Sequence, residues 1–71
     1  MDVSYNKLFK LLIDKNMKRA DLRIATGISP NTMTKLSSNE YVSMEVLVKI
    51  CLVLECDFGD IIEIIPDRKN I

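Results

Sequence analysis

Residues 18–36 read KRADLRIATGISPNTMTKL, and this stretch decides the fold. Its first half holds a short amphipathic pattern from Arg19 that must stop at Gly27, a residue free to adopt positive φ just past a helix end. Ile28 follows, then Ser29-Pro30. Serine can cap a helix by accepting from a first-turn amide, and proline at the first helical position loses no hydrogen bond. Two short helices so closely joined must cross at a steep angle. Leu22, Ile28, Met33 and Leu36 are spaced to fill the crevice between them. The opposite side of the second helix is left with Asn31, Thr34 and Lys35, and the tip with Ser29 and Pro30.

Working outward, these two helix starts and two further ones carry the same mark. Val3/Leu8, Met17/Leu22, Ile28/Met33 and Val42/Leu47 are apolar pairs five apart that bracket Ser4, Lys18, Ser29 and Ser43. That is the spacing of a hydrophobic staple around an N-cap. The four pairs predict helix starts near residues 5, 19, 30 and 44, with Lys18 the one poor cap. The first helix, about 5–15, has Tyr5, Leu8, Phe9 and Leu12 on one stripe. The third should reach about Ser38, with Asn39 as a left-handed cap. The fourth, about 44–55, places Met44, Leu47, Cys51 and Leu54 on one stripe and Val46, Ile50 and Val53 on another. Leu52 falls beside Glu45 and Lys49, where water is expected. Met17, Met33 and Met44 read as core fillers.

Asp57 can cap a short turn through Ile61. Ile61–Ile65 then reads as a strand ended by Pro66, because β-branched residues favour a pleated surface. One strand cannot satisfy its own backbone. Its partner is either the segment 2–4 of the same chain or a strand of a second copy. Residues 1–66 therefore read as one domain and 67–71 as a flexible tail.

Composition narrows the function. Seventy-one residues allow one domain with little room for an enclosed substrate pocket. There is no histidine, the commonest general base, so an enzyme is not expected, nor any cofactor or small-molecule ligand. Cys51 and Cys56 alone cannot complete a four-ligand zinc site, so no metal is expected. They read as small apolar residues of a chain kept in a reducing cytoplasm, while a redox role would rest on their proximity alone. No apolar run approaches the roughly 20 residues of a membrane span, and the N-terminus lacks the layout of a signal peptide.

Lys and Arg number 10, as do Asp and Glu, but the balance is uneven along the chain. Residues 1–39 carry seven basic and three acidic side chains; residues 40–71 carry three basic and seven acidic. Such asymmetry suits one face toward an anionic partner and another turned away. Asn31, Thr34 and Lys35 are short, polar or cationic, as expected of a helix laid in the major groove of double-stranded DNA. Asn can pair with adenine, Thr can touch the thymine methyl, and Lys can reach guanine or phosphate. Lys18 and Arg19, at a helix start with free amides, suit a phosphate. Ser29 is more secure as a cap than as a base contact, Pro30 presets the helix and lies against the groove, and Thr32 suits a local bond or a phosphate equally.

At these residues the chain resembles the Cro/CI-type (lambda-repressor-like, XRE-like) helix-turn-helix regulators. The similarity runs from about Met17 to Ile62. It rests on Leu22, Thr26, Gly27, Ile28 and Ser29, and on the later Ser43-x-Glu45-x-Leu47-x-Lys49-Ile50 run ending in Cys56-Asp57-x-x-Asp60-Ile61-Ile62. The resemblance implies an all-α, five-helix domain with short terminal strands, acting in DNA binding as a homodimer in a transcriptional regulator. It implies that Pro30, Asn31 and Lys35 face bases and that Arg19 stands where the family commonly has a phosphate-contacting Gln. Asn39 would help hold the DNA backbone. The dimer contacts would come from the acidic, apolar second half, through Leu52, Val53, Ile62 and Ile64. Two departures stand out. Arg23 replaces the usual Ala at the helix contact, and Ser37-Ser38-Asn39 replaces the usual Glu-Asn-Gly. The rival reading is a protein-interaction module or antitoxin that keeps the fold.

Overall fold

The computed structural model describes residues 2–66. In chain order it has β1 (Asp2–Ser4), α1 (Asn6–Asp14), α2 (Arg19–Thr26), α3 (Pro30–Ser37), α4 (Met44–Leu54), a 3₁₀ turn (Phe58–Asp60) and β2 (Glu63–Ile65). The five-helix expectation is corrected here: there are four α-helices among the described residues, and the expected fifth is a single 3₁₀ turn. The physical reason is local. The Asp57 amide donates to Asp60 Oδ2 at 2.9 Å and closes one turn. Gly59 is a weak helix former, and the β-branched run that follows favours extended backbone. The turn ends with the amides of Ile61 and Ile62 both donating to the Phe58 carbonyl.

The strand is shorter than its sequence suggests. Ile61 does not pair; it is fully buried in the core, and Ile62 packs against that core. β2 pairs antiparallel with β1 of the same chain, Asp2 opposite Ile65 and Ser4 opposite Glu63. Of the two pairings open from sequence, the intramolecular one holds. The expected tail at 67–71 lies outside the described residues.

The helix starts follow the staples. All eight staple residues belong to or pack against one core built from Tyr5, Leu8, Leu12, Leu22, Ile28, Met33, Leu36, Ile50, Leu54 and Ile61. Ser29 Oγ accepts from the Thr32 amide at 3.1 Å and Ser43 Oγ from the Val46 amide at 3.3 Å, as their caps require. At α2 the Lys18 side chain caps nothing; instead the Lys18 amide donates to Asp21 Oδ2 at 3.0 Å. The start of α1 shifts by one residue. Tyr5 is its N-cap, while Ser4 Oγ accepts from the Asn6 amide at 3.2 Å. Tyr5 itself is locked: its amide donates to Asn39 Oδ1 and its hydroxyl to the Glu40 carbonyl at 2.8 Å. Burial raises the pKa of its phenol.

Met44 corrects another expectation. Met17 and Met33 do fill the core region, but Met44 is 62% exposed because it is the first residue of α4, ahead of the buried stripe. On the same helix Leu52 is 73% exposed, on the face of the Glu45–Lys49 ion pair.

The two thiols are both half-buried and are not joined in a disulfide. They sit where α4 ends: the Cys56 amide donates to the Cys51 carbonyl across Glu55, whose φ of 55° is left-handed. Such a helix end commonly brings these two positions into apolar contact, which accounts for both residues. Burial, then the neighbouring Cys56 thiol as a hydrogen-bonded neighbour, and then Asp57 and Asp60 push the Cys51 thiol up to about 11. The folded chain therefore keeps a proton that the unfolded chain releases, so this group costs stability as pH rises from about 9 to 11. A two-unit rise cuts the thiolate about 100-fold below pH 9, partly offset by greater nucleophilicity, for roughly tenfold slower alkylation. Iodoacetamide labelling of Cys51 at pH 8, read by peptide mass spectrometry, should accelerate about tenfold in 8 M urea. Equal rates in both states would contradict the half-buried, hydrogen-bonded thiol.

Candidate nucleic-acid interface

α3 is held by its inner side. Met33 and Leu36 are buried, as is Ile28 in the turn before it. Gly27 ends α2 at φ 73°, and its amide donates to the Arg23 carbonyl at 2.9 Å. No side chain or backbone would crowd a Cβ there, so the glycine serves the backbone angle and not a close approach. With the inner side fixed, Asn31, Thr34 and Lys35 are exposed together on the outer side. Ser29 and Pro30 are exposed at the tip, and Thr32 is half-buried beside them.

The hydroxyls of this face are already engaged. Ser29 Oγ and Thr32 Oγ1 lie 3.0 Å apart. Thr34 Oγ1 donates to the Pro30 carbonyl at 3.1 Å, one turn back. Asn31 and Lys35 make no side-chain hydrogen bond or ion pair among the described residues.

Lys18 and Arg19 are exposed at the start of α2. Arg19 does more than carry charge. Its guanidinium carbon lies 4.2 Å from the centre of the Phe9 ring, and its Nη1 donates to Ser37 Oγ at 3.0 Å. One side chain thus ties α1, α2 and the last turn of α3 together. Ser37, the first residue of the Ser37-Ser38-Asn39 departure, is the acceptor that makes this possible, and no local spacing announces it. Asn39 occupies a left-handed position at φ 57° and uses Oδ1 to hold the Tyr5 amide. Asparagine is among the few non-glycine residues that tolerate that angle. Arg23 is half-buried on α2.

The fold also brings in groups that sequence reasoning missed. Asp2, Lys35, Asn39, Glu40 and Tyr41 line one surface cleft. α3 itself carries no carboxylate, yet two carboxylates share a cleft with Lys35. Glu40 follows α3 closely enough to have been suspected. Asp2 arrives only through the pairing of β1 with β2.

A second surface has the opposite character. Val48, Cys51, Leu52, Cys56 and Phe58 line an open groove of about 710 Å³ with Glu55, Asp57 and Asp60 at its sides. Of the four expected dimer residues, Leu52, Val53 and Ile64 are exposed and Ile62 is half-buried. No group of three or more His, Cys, Asp or Glu among the described residues could hold a metal ion, and no described helix is long and apolar enough to cross a membrane.

No curated protein matches the chain. A solved structure, that of the transcriptional regulator VanUg in its crystal form II, is similar over 93% of this chain and 88% of that one, with 59% identity and a TM-score of 0.90. Residues 7–67 match the family described as the Cro/C1-type HTH DNA-binding domain. The α2–α3 pair, its left-handed Gly27 and its capped outer helix are what that family's name describes, and the chain belongs to the Cro/C1-type HTH DNA-binding domain family.

Proposed function

We propose that this protein binds double-stranded DNA sequence-specifically as a homodimer and represses transcription by occupying its site. α3 enters the major groove, Asn31, Thr34 and Lys35 meet base edges, and Lys18, Arg19 and Asn39 hold the backbone. The observation that carries the reading is the division of α3: a sealed inner side and an outer side on which the Asn31 and Lys35 side chains have no partner among the described residues. The solved relative, named as a transcriptional regulator, supports the regulatory part. The dimer is supported by Leu52 and Ile64, which are 73% and 65% exposed on the acidic half of the chain. A single reader with about three base contacts discriminates weakly, and two half-sites about 34 Å apart restore specificity.

Selection from randomised duplexes at about 150 mM salt tests this reading, with an inverted repeat as the expected product. No enrichment by the folded protein would favour the interaction-module reading. Lys35→Ala should weaken binding to the selected site about tenfold at fixed salt. An unchanged affinity would show that α3 does not dock this way.

The carboxylates beside Lys35 lead to a prediction of opposite sign. Glu40→Gln should strengthen binding about threefold at 150 mM salt and more at 50 mM, because an exposed like charge is removed from the path of the phosphates. Titration by fluorescence anisotropy at both salts reads the effect. A weaker complex would place Glu40 in direct contact with a base or a bridging cation.

A further inference from the structure

We propose that Thr34 is a specificity-determining residue that reads the C5-methyl of a thymine through its own methyl group, with its hydroxyl taking no part. The inference rests on the reading of α3 as the major-groove helix. Its basis is the bond from Thr34 Oγ1 to the Pro30 carbonyl at 3.1 Å. Threonine in a helix has two favoured rotamers because its hydroxyl can turn back to this carbonyl one turn earlier. In that rotamer the hydroxyl proton is spent. It cannot be donated to the N7, O6 and O4 acceptors that the major groove presents. The remaining branch at Cβ is the methyl, on a residue that is exposed.

The neighbours differ from Thr34. Ser29 and Thr32 share a single hydroxyl–hydroxyl bond at the tip, which leaves one of their two hydroxyl protons available there. Asn31 and Lys35, three residues before and one after, keep their polar groups unengaged among the described residues. The outer face of α3 is thus an apolar methyl flanked by two polar readers. Three residues of helix rise about 4.5 Å, close to the roughly 3.4 Å between successive bases. An adenine met by Asn31 and the thymine met by Thr34 therefore lie within one or two base pairs of each other in each half-site.

The test uses the full chain and the duplex recovered by selection, with each thymine replaced singly by deoxyuridine, which lacks only the methyl. Affinity is read by fluorescence anisotropy at 150 mM salt. One thymine per half-site should lose about fourfold on replacement, the worth of one buried methyl, and replacement at both symmetric positions should lose about fifteenfold. Thr34→Ser keeps the hydroxyl and lacks the methyl; it should bind the thymine and deoxyuridine duplexes equally. Thr34→Val keeps a methyl and lacks the hydroxyl; it should discriminate as the wild type does. Loss of discrimination in Thr34→Val with retention in Thr34→Ser would overturn the assignment and make the hydroxyl the reader. Unchanged discrimination in both variants would assign the thymine to another residue. These results differ from the failure of the parent reading, which would show as no selected duplex at all and would remove this inference with it.

Discussion

Leu22→Ala is expected to leave a large share of the chains unfolded at 25 °C. Leu22 is fully buried on α2, the helix that packs against both α3 and α4. Truncating a buried leucine costs about 3–5 kcal/mol, since the neighbours only partly close the cavity. A chain of this length has in total about 4–10 kcal/mol. The loss is therefore comparable with the whole stability at the lower end of that range. Urea unfolding followed by circular dichroism should show the midpoint falling by about 3 M, taking about 1 kcal/mol per M for a small domain. Leu52→Ala is the control: its side chain is 73% exposed, and the change should stay within about 0.5 kcal/mol in the monomer. A Leu22→Ala midpoint within 1 M of wild type would mean that α2 is not the central element of this core.

Both leucines were legible from spacing alone, Leu22 in the crevice of the helix pair and Leu52 beside Glu45 and Lys49 where water is expected. Staples and caps located all four α-helix starts to within a residue, because each start is governed by groups a few positions apart. Helix ends also fall within a residue of their expected places, but the backbone angles that make two of them were not legible. α1 stops before Asn16 at φ 56° and α4 at Glu55 at φ 55°, neither of which is a glycine. Nothing local announced that Glu55 would adopt that angle. Long-range contacts were illegible for a different reason. Arg19 reaching Ser37, Asn39 holding the Tyr5 amide and Lys7 donating to the Gly59 carbonyl join residues 18 to 52 apart in the chain. Only the packing of the whole fold brings them together. Residues on α3 could be sorted into inner and outer sides from their spacing. The engagement of Thr34 with Pro30 could not, because it depends on a rotamer.

Arg19→Ala should have the largest effect on DNA binding, through two roles that can be separated. The first is charge at the start of α2, where unpaired amides and the helix dipole already favour a phosphate. The second is geometry, since stacking over Phe9 and the bond to Ser37 set the angles among α1, α2 and α3. Arginine has five N–H donors, and one is used on Ser37, which leaves others for phosphate oxygens. A charge-assisted contact of this kind is worth about 2 kcal/mol, so affinity should fall about thirtyfold per protomer at 150 mM salt. The charge appears in the salt dependence. Each phosphate contact adds about 0.9 to the slope of log affinity against log salt, so a dimer of Arg19→Ala should be shallower by about 1.8. Arg19→Lys keeps the charge without the planar stack. It should preserve most of the slope while losing part of the affinity. Ser37→Ala removes only the tie to α3 and should lower affinity with the slope intact. Anisotropy titrations from 50 to 300 mM salt distinguish these cases. A thirtyfold loss in Arg19→Ala with an unchanged slope would sink the phosphate role, leaving Arg19 as a brace that keeps α3 at the angle from which Asn31, Thr34 and Lys35 reach the groove.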